Sequence, residues 1–372
     1  MRALLDDSSI VVRESAAAAL ASITEGVSSL LEVLKNGSVR ASEAALGALV
    51  ESGRGGADLS EWASQETARA AHLRRHRLTL EQRTDPSPTA DYLLRLLAAR
   101  DERLERWAIM ALTTPDTEVA MSTVMRGIWS KDPETRSQAM EALDSLGDRS
   151  VVRDLLALLE QDPSDVNRDM RSSLRDLASD HDYWIRALAY RCLREEMTGD
   201  LARLVDAAEQ DPSRLVRMAV SRWELPIMQE TETLDLMQRV LALQRVPVFA
   251  GIDPEDLERI AFATSERHYE GEEMIFQQGD EGDEMIVIIR GEVTVSRREG
   301  EKTVPIRSFG AGDHVGELAL LRGKPRSSDV TAGPDGVHTL VLRSPELQAI
   351  LEERPEVAMA MLGTLADRLA TM

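Results

Sequence analysis

The chain has 372 residues, of which 43% are hydrophobic and 29% charged, so it is neither wholly disordered nor fibrous, and two or three globular domains are expected. A single cysteine, Cys192, excludes internal disulfides and any zinc site built from several thiolates. The 44 basic and 65 acidic residues give a net charge of −21, which disfavours binding to nucleic acid and to anionic membrane surfaces. No apolar run is long enough to span a bilayer, so we expect a cytoplasmic protein.

Two changes in composition divide the chain near residue 230. All 5 tryptophans precede residue 224, whereas all 4 phenylalanines follow residue 248. In addition, 13 of the 22 glycines fall in the last 142 residues, where a turn-rich β fold would place them. We therefore predict a helical domain over 1–229, a polar linker over 230–233 and a second domain over 234–372.

The first domain shows helical periodicity almost throughout, and its helices carry a repeated pattern. Each unit has an aspartate in a turn, a short apolar step, an arginine and an alanine-rich helix; the arginines are Arg13, Arg40, Arg106, Arg136, Arg186 and Arg217. Aspartate can cap the following helix, and proline fits its first turn, as in Asp132-Pro133. The pattern resembles degenerate HEAT repeats over 1–225, an all-α solenoid. An ordinary helical bundle is the alternative.

One stretch breaks this period. Residues 52–56 followed by 62–84 predict an irregular region or an insertion. Within it His72 and His76 lie four residues apart, but the arginines that flank them predict a solvated basic face rather than a metal site. The other histidines and Cys192 form no metal-binding or nucleophile pattern, so we predict no metal and no enzymatic activity. We expect the solenoid to present a concave acidic surface to a protein partner.

The second domain reads as short β segments punctuated by glycine. Predicted strands cover 267–269, 274–276, 285–289, 293–296, 304–309, 330–332 and 339–342, with helices near 234–243, 254–263 and 344–370. Turn signals recur about every ten residues, which favours a small antiparallel barrel or jelly roll flanked by helices. The fold class is therefore multidomain: an α solenoid followed by an α+β domain.

The segment 316–330 carries the chemistry. Gly316 permits close approach of the backbone to a ligand, and the amides of the short helical turn predicted over 318–321 favour an anion. Arg326 offers a planar fork that can bind a phosphate with two hydrogen bonds. Glu317 is an acceptor beside that anion site, which suits a ribose hydroxyl. Together these groups suit a ribose phosphate.

This arrangement resembles the phosphate-binding cassette of the cyclic nucleotide-binding domain, as in protein kinase A regulatory subunits and catabolite activator-type regulators. The segments 246–252 and 279–293 resemble the family's helical turn and strand glycines. The resemblance implies that Glu317 binds the ribose 2′-hydroxyl, that Arg326 binds the cyclic phosphate, and that amides near Leu318, Ala319 and Ser327 add donors. The ligand that the resemblance implies first is cAMP, and cGMP is the alternative.

Several neighbouring residues complete the predicted site. Pro325 and Ser328 flank Arg326 and Ser327, and Ser328 replaces the small apolar residue that many family members have. An inward-facing Asp329 would compete for Arg326 and weaken binding. We expect the helix 355–372 to close over the base, with Arg368 reaching it, and to displace the helical segment 234–260 when it does.

Two readings of the whole chain remain. HEAT-like repeats that run into this domain resemble the soluble tail of some bacterial ATP/ADP-translocase or major-facilitator transporters, which implies a cyclic-nucleotide sensor at the cytoplasmic face of the membrane. The alternative is a protein-interaction scaffold whose nucleotide pocket is vestigial. Binding of a cyclic nucleotide distinguishes the two.

Overall fold

A computed structural model describes residues 2–7, 9–84, 87–114, 116–146, 149–160, 169–196, 202–220, 234–249, 252–299, 302–317 and 325–370. The described chain divides into two compact units, residues 1–181 and 182–372. The predicted linker, 230–233, lies outside the described residues, so the predicted domain boundaries remain predictions. Within the described residues no helix is long and apolar enough to cross a membrane.

The first unit is helical. A 3₁₀ turn, Arg2–Asp6, precedes α1 (Ile10–Ala21), α2 (Thr24–Asn36), α3 (Val39–Glu51), α4 (Gly56–Glu81), α5 (Pro88–Ala111), α6 (Glu118–Gly127), α7 (Pro133–Leu146), α8 (Arg149–Leu159) and α9 (Met170–Leu177). Alanines and leucines from successive helices share one core, which includes Ala17, Leu46, Ala108 and Leu155. Small alanine side chains let the helices approach closely, as the alanine-rich pattern predicts.

The turn chemistry is confirmed where Asp132 precedes α7. Its Oδ2 accepts a hydrogen bond from the backbone N–H of Thr135 at 2.9 Å, and Pro133 occupies the first helical position. The repeated arginines also bond to turns and helix ends: Arg136 donates to the carbonyl of Leu159 at 2.7 Å, and Arg186 pairs with Asp211 at 2.8 Å. The repeat pattern therefore encodes both the caps and contacts to neighbouring turns.

The stretch that breaks the period is not irregular over 56–81, because α4 is one continuous helix of 26 residues that packs along α5. The predicted solvated basic face is also wrong. His76 is fully buried, and Arg74 and Arg77 pair with Asp101 at 3.2 and 3.3 Å. Arg74 also pairs with the buried Glu105. Carboxylates on α5 thus neutralise the arginines on α4, which the local sequence of α4 does not show.

The second unit begins with α10 (Tyr183–Glu196), α11 (Ala202–Glu209) and α12 (Arg214–Val220). Then come α13 (Leu236–Gln244), a 3₁₀ turn (Pro247–Phe249) and α14 (Pro254–Ala263). The strands are β1 (Ser265–Tyr269), β2 (Met274–Phe276), β3 (Glu284–Glu299), β4 (Lys302–Phe309), β5 (His314–Val315) and β6 (Asp329–Arg343), followed by α15 (Ser344–Glu353) and α16 (Pro355–Ala370). Cys192 is buried in α10, as its alanine- and leucine-rich surroundings predict.

The sheet is antiparallel, with the order β1-β6-β3-β4; β2 also pairs with β6, and β5 with β3. The predicted breaks within β3 and β6 are wrong, because both strands run through their glycines. Gly291 has φ 81° and Gly336 has φ 77°. A Cβ on Gly291 would lie 2.3 Å from the carbonyl oxygen of Gly336. These glycines bend two paired strands where they approach closely instead of ending them.

The helices after the sheet meet those before it. Val357 and Met361 of α16 are buried, and α16 packs against the 3₁₀ turn Pro247–Phe249. Arg354, between α15 and α16, pairs with Asp256 of α14 at 3.1 Å. Val357 and Met361, four residues apart on α16, therefore share a buried apolar face, while the side chains of 364–370 lie outside what the structure describes.

Candidate functional site

Arg326 stands just before β6, and its backbone is fixed by the loop after β2. Its N–H donates to the carbonyl of Asp280 at 2.8 Å, and its own carbonyl accepts from the N–H of Gly279 at 2.9 Å. The side chain is only 6% exposed. An arginine this deeply buried normally has an anionic partner, because an uncompensated buried charge is costly.

The guanidinium of Arg326 lies over the ring of Phe276, with its central carbon 3.6 Å from the ring centre. Its Nη1 donates to the carbonyl of Gly316 at 3.3 Å. The aromatic face stabilises the cation and fixes the plane of the fork. Apart from that bond to Gly316, the side chain makes no hydrogen bond or ion pair with any residue that the structure describes.

Gly316 is required by this geometry on two grounds. Its φ of 97° is one that side chains rarely adopt. A Cβ at this position would also lie 2.7 Å from Nη1 of Arg326 and 3.0 Å from Cε2 of Phe276. Gly316, Arg326 and the ring of Phe276 therefore meet at one point.

Glu317 follows Gly316 and is half-buried. It forms no hydrogen bond or ion pair with the described residues. The two amide donors predicted after it, Leu318 and Ala319, lie outside the described residues, as do the rest of 318–324. The structure therefore brings Glu317 next to the Gly316–Arg326 contact and does not define the far wall of the site.

Asp329 does not compete for Arg326, so that expectation is wrong. Its Oδ1 accepts from the backbone N–H of Gln278 at 2.6 Å, and its Oδ2 pairs with Nε of Arg298 at 3.1 Å. The carboxylate is buried but has two partners on neighbouring strands and loops. Both partners lie far away in sequence, and the local motif gives no sign of them.

Burial lowers the pKa of Arg326, and the nearby carboxylates of Glu284 and Asp283 act in the opposite direction. The guanidinium stays protonated at any physiological pH because its ordinary pKa is so high. A charge that is partly removed from water interacts more strongly with an incoming anion. The site is therefore a fixed, partly desolvated cation beside a glycine whose backbone conformation other residues rarely adopt.

The remaining predicted residues are placed as follows. Pro325 and Ser327 are exposed, and Ser328 is buried directly before β6. His314 is buried in β5 and pairs in register with Val287. The side chain of Arg368 lies outside the described residues, although its backbone belongs to α16.

Sequence reasoning missed Phe276 as a partner of Arg326. It placed Gly279 and Asp280 in a family-like segment but gave no sign that their backbones bond to Arg326. Phe276 ends a strand that the apolar pattern predicts correctly, but nothing in that pattern points to an arginine 50 positions later. Within the described residues, no cluster of three or more His, Cys, Asp or Glu side chains is arranged to hold a metal ion.

Comparison with known proteins agrees with this geometry. Residues 266–354 match the family model of the cyclic nucleotide-binding domain, and residues 90–175 match HEAT repeats. The sheet and its flanking helices therefore form a cyclic nucleotide-binding domain. HEAT repeats are shown over 90–175, and their extension over 1–225 remains a prediction.

Individual relatives each match about a third of this chain. An uncharacterised NTE family protein of Mycobacterium bovis is 32% identical over 128 residues, which are 34% of this chain and 21% of that protein. A cyclic nucleotide-gated potassium channel of Rhizobium etli is 30% identical over 140 residues, 38% of each chain. The catabolite activator protein of Thermus thermophilus is 28% identical, covers 34% of this chain and 59% of its own, and has a TM-score of 0.31. The chain thus spans about a fifth of the mycobacterial relative and under two fifths of the channel.

Proposed function

We propose that residues 234–372 bind a 3′,5′-cyclic nucleotide, with cAMP as the first ligand and cGMP as the second. The observation that carries this proposal is the buried guanidinium of Arg326, which lies over Phe276 beside Gly316 without a carboxylate partner among the described residues. A cyclic phosphate supplies the missing anion and accepts two parallel hydrogen bonds from the fork.

Glu317 then accepts a hydrogen bond from the ribose 2′-hydroxyl. In cyclic nucleotides this hydroxyl lies beside the phosphate, so a carboxylate next to an anion site gains a donor rather than a repulsive neighbour. The amides of Leu318, Ala319 and Ser327 add donors to the phosphate, and Arg368 meets the base. The exposed side chain of Ser327 is within the same turn and can discriminate purines through its hydroxyl.

The module is regulatory and not enzymatic in this proposal. Closure of α16 over the base moves the 3₁₀ turn Pro247–Phe249, against which α16 packs. That turn lies between α13 and α14, and both contact α10: Arg191 pairs with Asp235, the cap of α13, at 3.3 Å, and Tyr183 donates to Glu258 of α14 at 3.2 Å. Ligand binding shifts the population of helix arrangements by its difference in affinity for the two states.

The HEAT-like helices serve as a scaffold for a protein partner, and the resemblance to transporter tails makes a membrane transporter at the cytoplasmic face the first partner to test. In this proposal, a ligand-induced change in the position of α10 alters how the scaffold binds its partner. The choice of a transporter as partner is based on the resemblance to transporter tails, whereas nucleotide binding is based on the geometry around Arg326.

The test is a thermal-unfolding screen of the whole chain with cAMP, cGMP, cCMP and cUMP, with 5′-AMP as the acyclic control. A cyclic nucleotide that binds only the folded state raises the melting temperature with concentration. We expect cAMP to give the largest rise and 5′-AMP none. If no cyclic nucleotide changes the melting temperature, the chain is a scaffold with a vestigial pocket.

A further inference from the structure

Three acidic residues lie near Arg326 and interact electrostatically with its guanidinium. Glu284 begins β3, Asp283 precedes it, and the backbone carbonyl of Asp280 accepts a hydrogen bond from the N–H of Arg326. The carbonyl oxygen of Glu284 and Nη1 of Arg326 border the same point, lying 3.0 and 2.7 Å from the position of a Cβ on Gly316. A glutamate side chain that starts here is long enough to reach the guanidinium.

Glu284 nevertheless bonds elsewhere. Its Oε1 accepts from Nη1 of Arg267 at 2.9 Å, and its Oε2 accepts from Nη2 of the same arginine at 3.5 Å. Arg267 is fixed in turn, because Nη1 also donates to the hydroxyl of Tyr269 at 3.0 Å and the guanidinium lies over the Tyr269 ring. Arg267 and Tyr269 lie on β1, and β6 lies between β1 and β3 in the sheet.

The second buried carboxylate near the site follows the same pattern. Asp329, three residues after Arg326, pairs with Arg298 rather than with Arg326. Each of these two acids thus has its own arginine, and Arg326 keeps its hydrogen-bonding edge for another anion. An internal carboxylate would be a strong competitor, because a ligand must displace a tethered group whose effective concentration is high.

We infer that Arg267 is a positioning residue for ligand binding: it holds Glu284 away from Arg326 and so keeps the phosphate-binding arginine available. The inference rests on the proposed function, since it concerns the affinity of Arg326 for the cyclic phosphate. Arg267 itself is about half exposed and does not touch the ligand. An ordinary surface ion pair in this place would contribute little to stability and nothing to affinity.

A double-mutant cycle on the whole chain separates these roles. Affinity for cAMP is measured by calorimetry for the parent, Arg267→Gln, Glu284→Gln and the double variant. We expect Arg267→Gln to weaken binding about tenfold, within the range for coupled charges in one network. Glu284→Gln should bind at least as tightly as the parent, and the double variant should recover the parental affinity within about twofold.

Two further variants control for charge and folding. Arg297→Gln removes an exposed arginine of β3 that makes no ion pair within the described residues, and it should leave the affinity unchanged. Arg267→Lys keeps the positive charge beside Glu284 and should restore most of the binding lost in Arg267→Gln. Parental affinity in Arg267→Gln, or a double variant as weak as Arg267→Gln, would overturn the inference.

A crystal structure of ligand-free Arg267→Gln tests the geometry without any nucleotide. The Glu284 carboxylate should turn from β1 to within 4 Å of the Arg326 guanidinium, the ordinary limit of an ion pair. If Glu284 stays away from Arg326, the inference is wrong even when the protein binds cAMP. If the parent binds no cyclic nucleotide but the carboxylate does turn, the proposed function fails and the positioning role of Arg267 stands.

Discussion

The carbonyl of Gly316 accepts a hydrogen bond from Nη1 of Arg326 at 3.3 Å, although the two residues are ten positions apart in the sequence. The contact depends on a glycine with φ 97° and on Phe276 beneath the guanidinium. A backbone conformation that only glycine adopts readily, a buried cation and an aromatic face therefore meet at one point.

Gly316→Ala should weaken cAMP binding and destabilise the domain by about 1–3 kcal/mol, the usual cost of a residue held in an unfavourable backbone region. Its Cβ would displace the Arg326 fork, from which it would lie 2.7 Å away. Urea unfolding and calorimetry measure the two effects. Gly310→Ala is the matched control, because a Cβ there has open space and should change neither quantity. Parental affinity in Gly316→Ala would mean that the close approach has no role in binding.

Asp329→Ala should destabilise the protein by about 1.5–3 kcal/mol, the range for hydrogen bonds to charged groups. The substitution removes the acceptor of the Gln278 N–H and the partner of Arg298. Because Asp329 does not pair with Arg326, affinity for cAMP should not increase. Chemical denaturation measures the loss of stability, and a cAMP titration under conditions in which both proteins are folded measures the affinity. A tighter complex would show that the carboxylate does compete for the site.

The free energy of unfolding should fall as the pH drops below about 6.5, and protonation of His338 should account for part of that fall. Burial lowers the pKa of His338, the neighbouring His268 lowers it further, and the hydrogen bond with Glu266 at 3.1 Å opposes both. The unfolded state then binds the proton at higher pH than the folded state, so protonation favours unfolding. In His338→Gln, the free energy of unfolding between pH 7.5 and pH 5 should depend less steeply on pH. An unchanged slope would assign the pH dependence to other groups.

Hydrogen exchange should reveal whether the helices respond to ligand. Addition of cAMP should slow exchange in the segment around Arg326, in α16 and in the 3₁₀ turn Pro247–Phe249, which packs on α16. It should also change exchange in α10 through the contact of Tyr183 with Glu258. Tyr183→Phe, which lacks that hydrogen bond, should confine the response to the domain after residue 234. If cAMP slowed exchange only in the segment around Arg326 of the parent protein, ligand binding would not be coupled to the helices.

Local sequence predicts the parts of this molecule that are encoded locally. Asp132-Pro133 caps its helix because cap chemistry operates over three residues, and Gly316, Glu317 and Arg326 can be assigned to one candidate site because they belong to one sequence motif. Contacts across the fold are different. The ring of Phe276 under Arg326 and the pairing of Asp329 with Arg298 join residues that are 50 and 31 positions apart, which no local pattern specifies.

The same limit explains two of the wrong predictions outside the site. The local sequence around Gly291 predicts a turn. In the structure Gly291 lies at a bend within β3, where the backbone of Gly336 packs against it. The arginines beside His76 read as a solvated face, but Asp101 on the next long helix neutralises them. In both cases the deciding partner is on another element.

The most direct test of the account is a calorimetric titration of the whole chain with cAMP, comparing the parent with Arg326→Ala and with Arg297→Ala as the exposed control. Arg326→Ala should lose about 2–5 kcal/mol of binding free energy, the usual loss when one partner of a buried charge pair is truncated. Arg297→Ala should bind like the parent, and all three proteins should be folded by circular dichroism. Saturable binding that is equally tight with and without the Arg326 guanidinium would contradict the account.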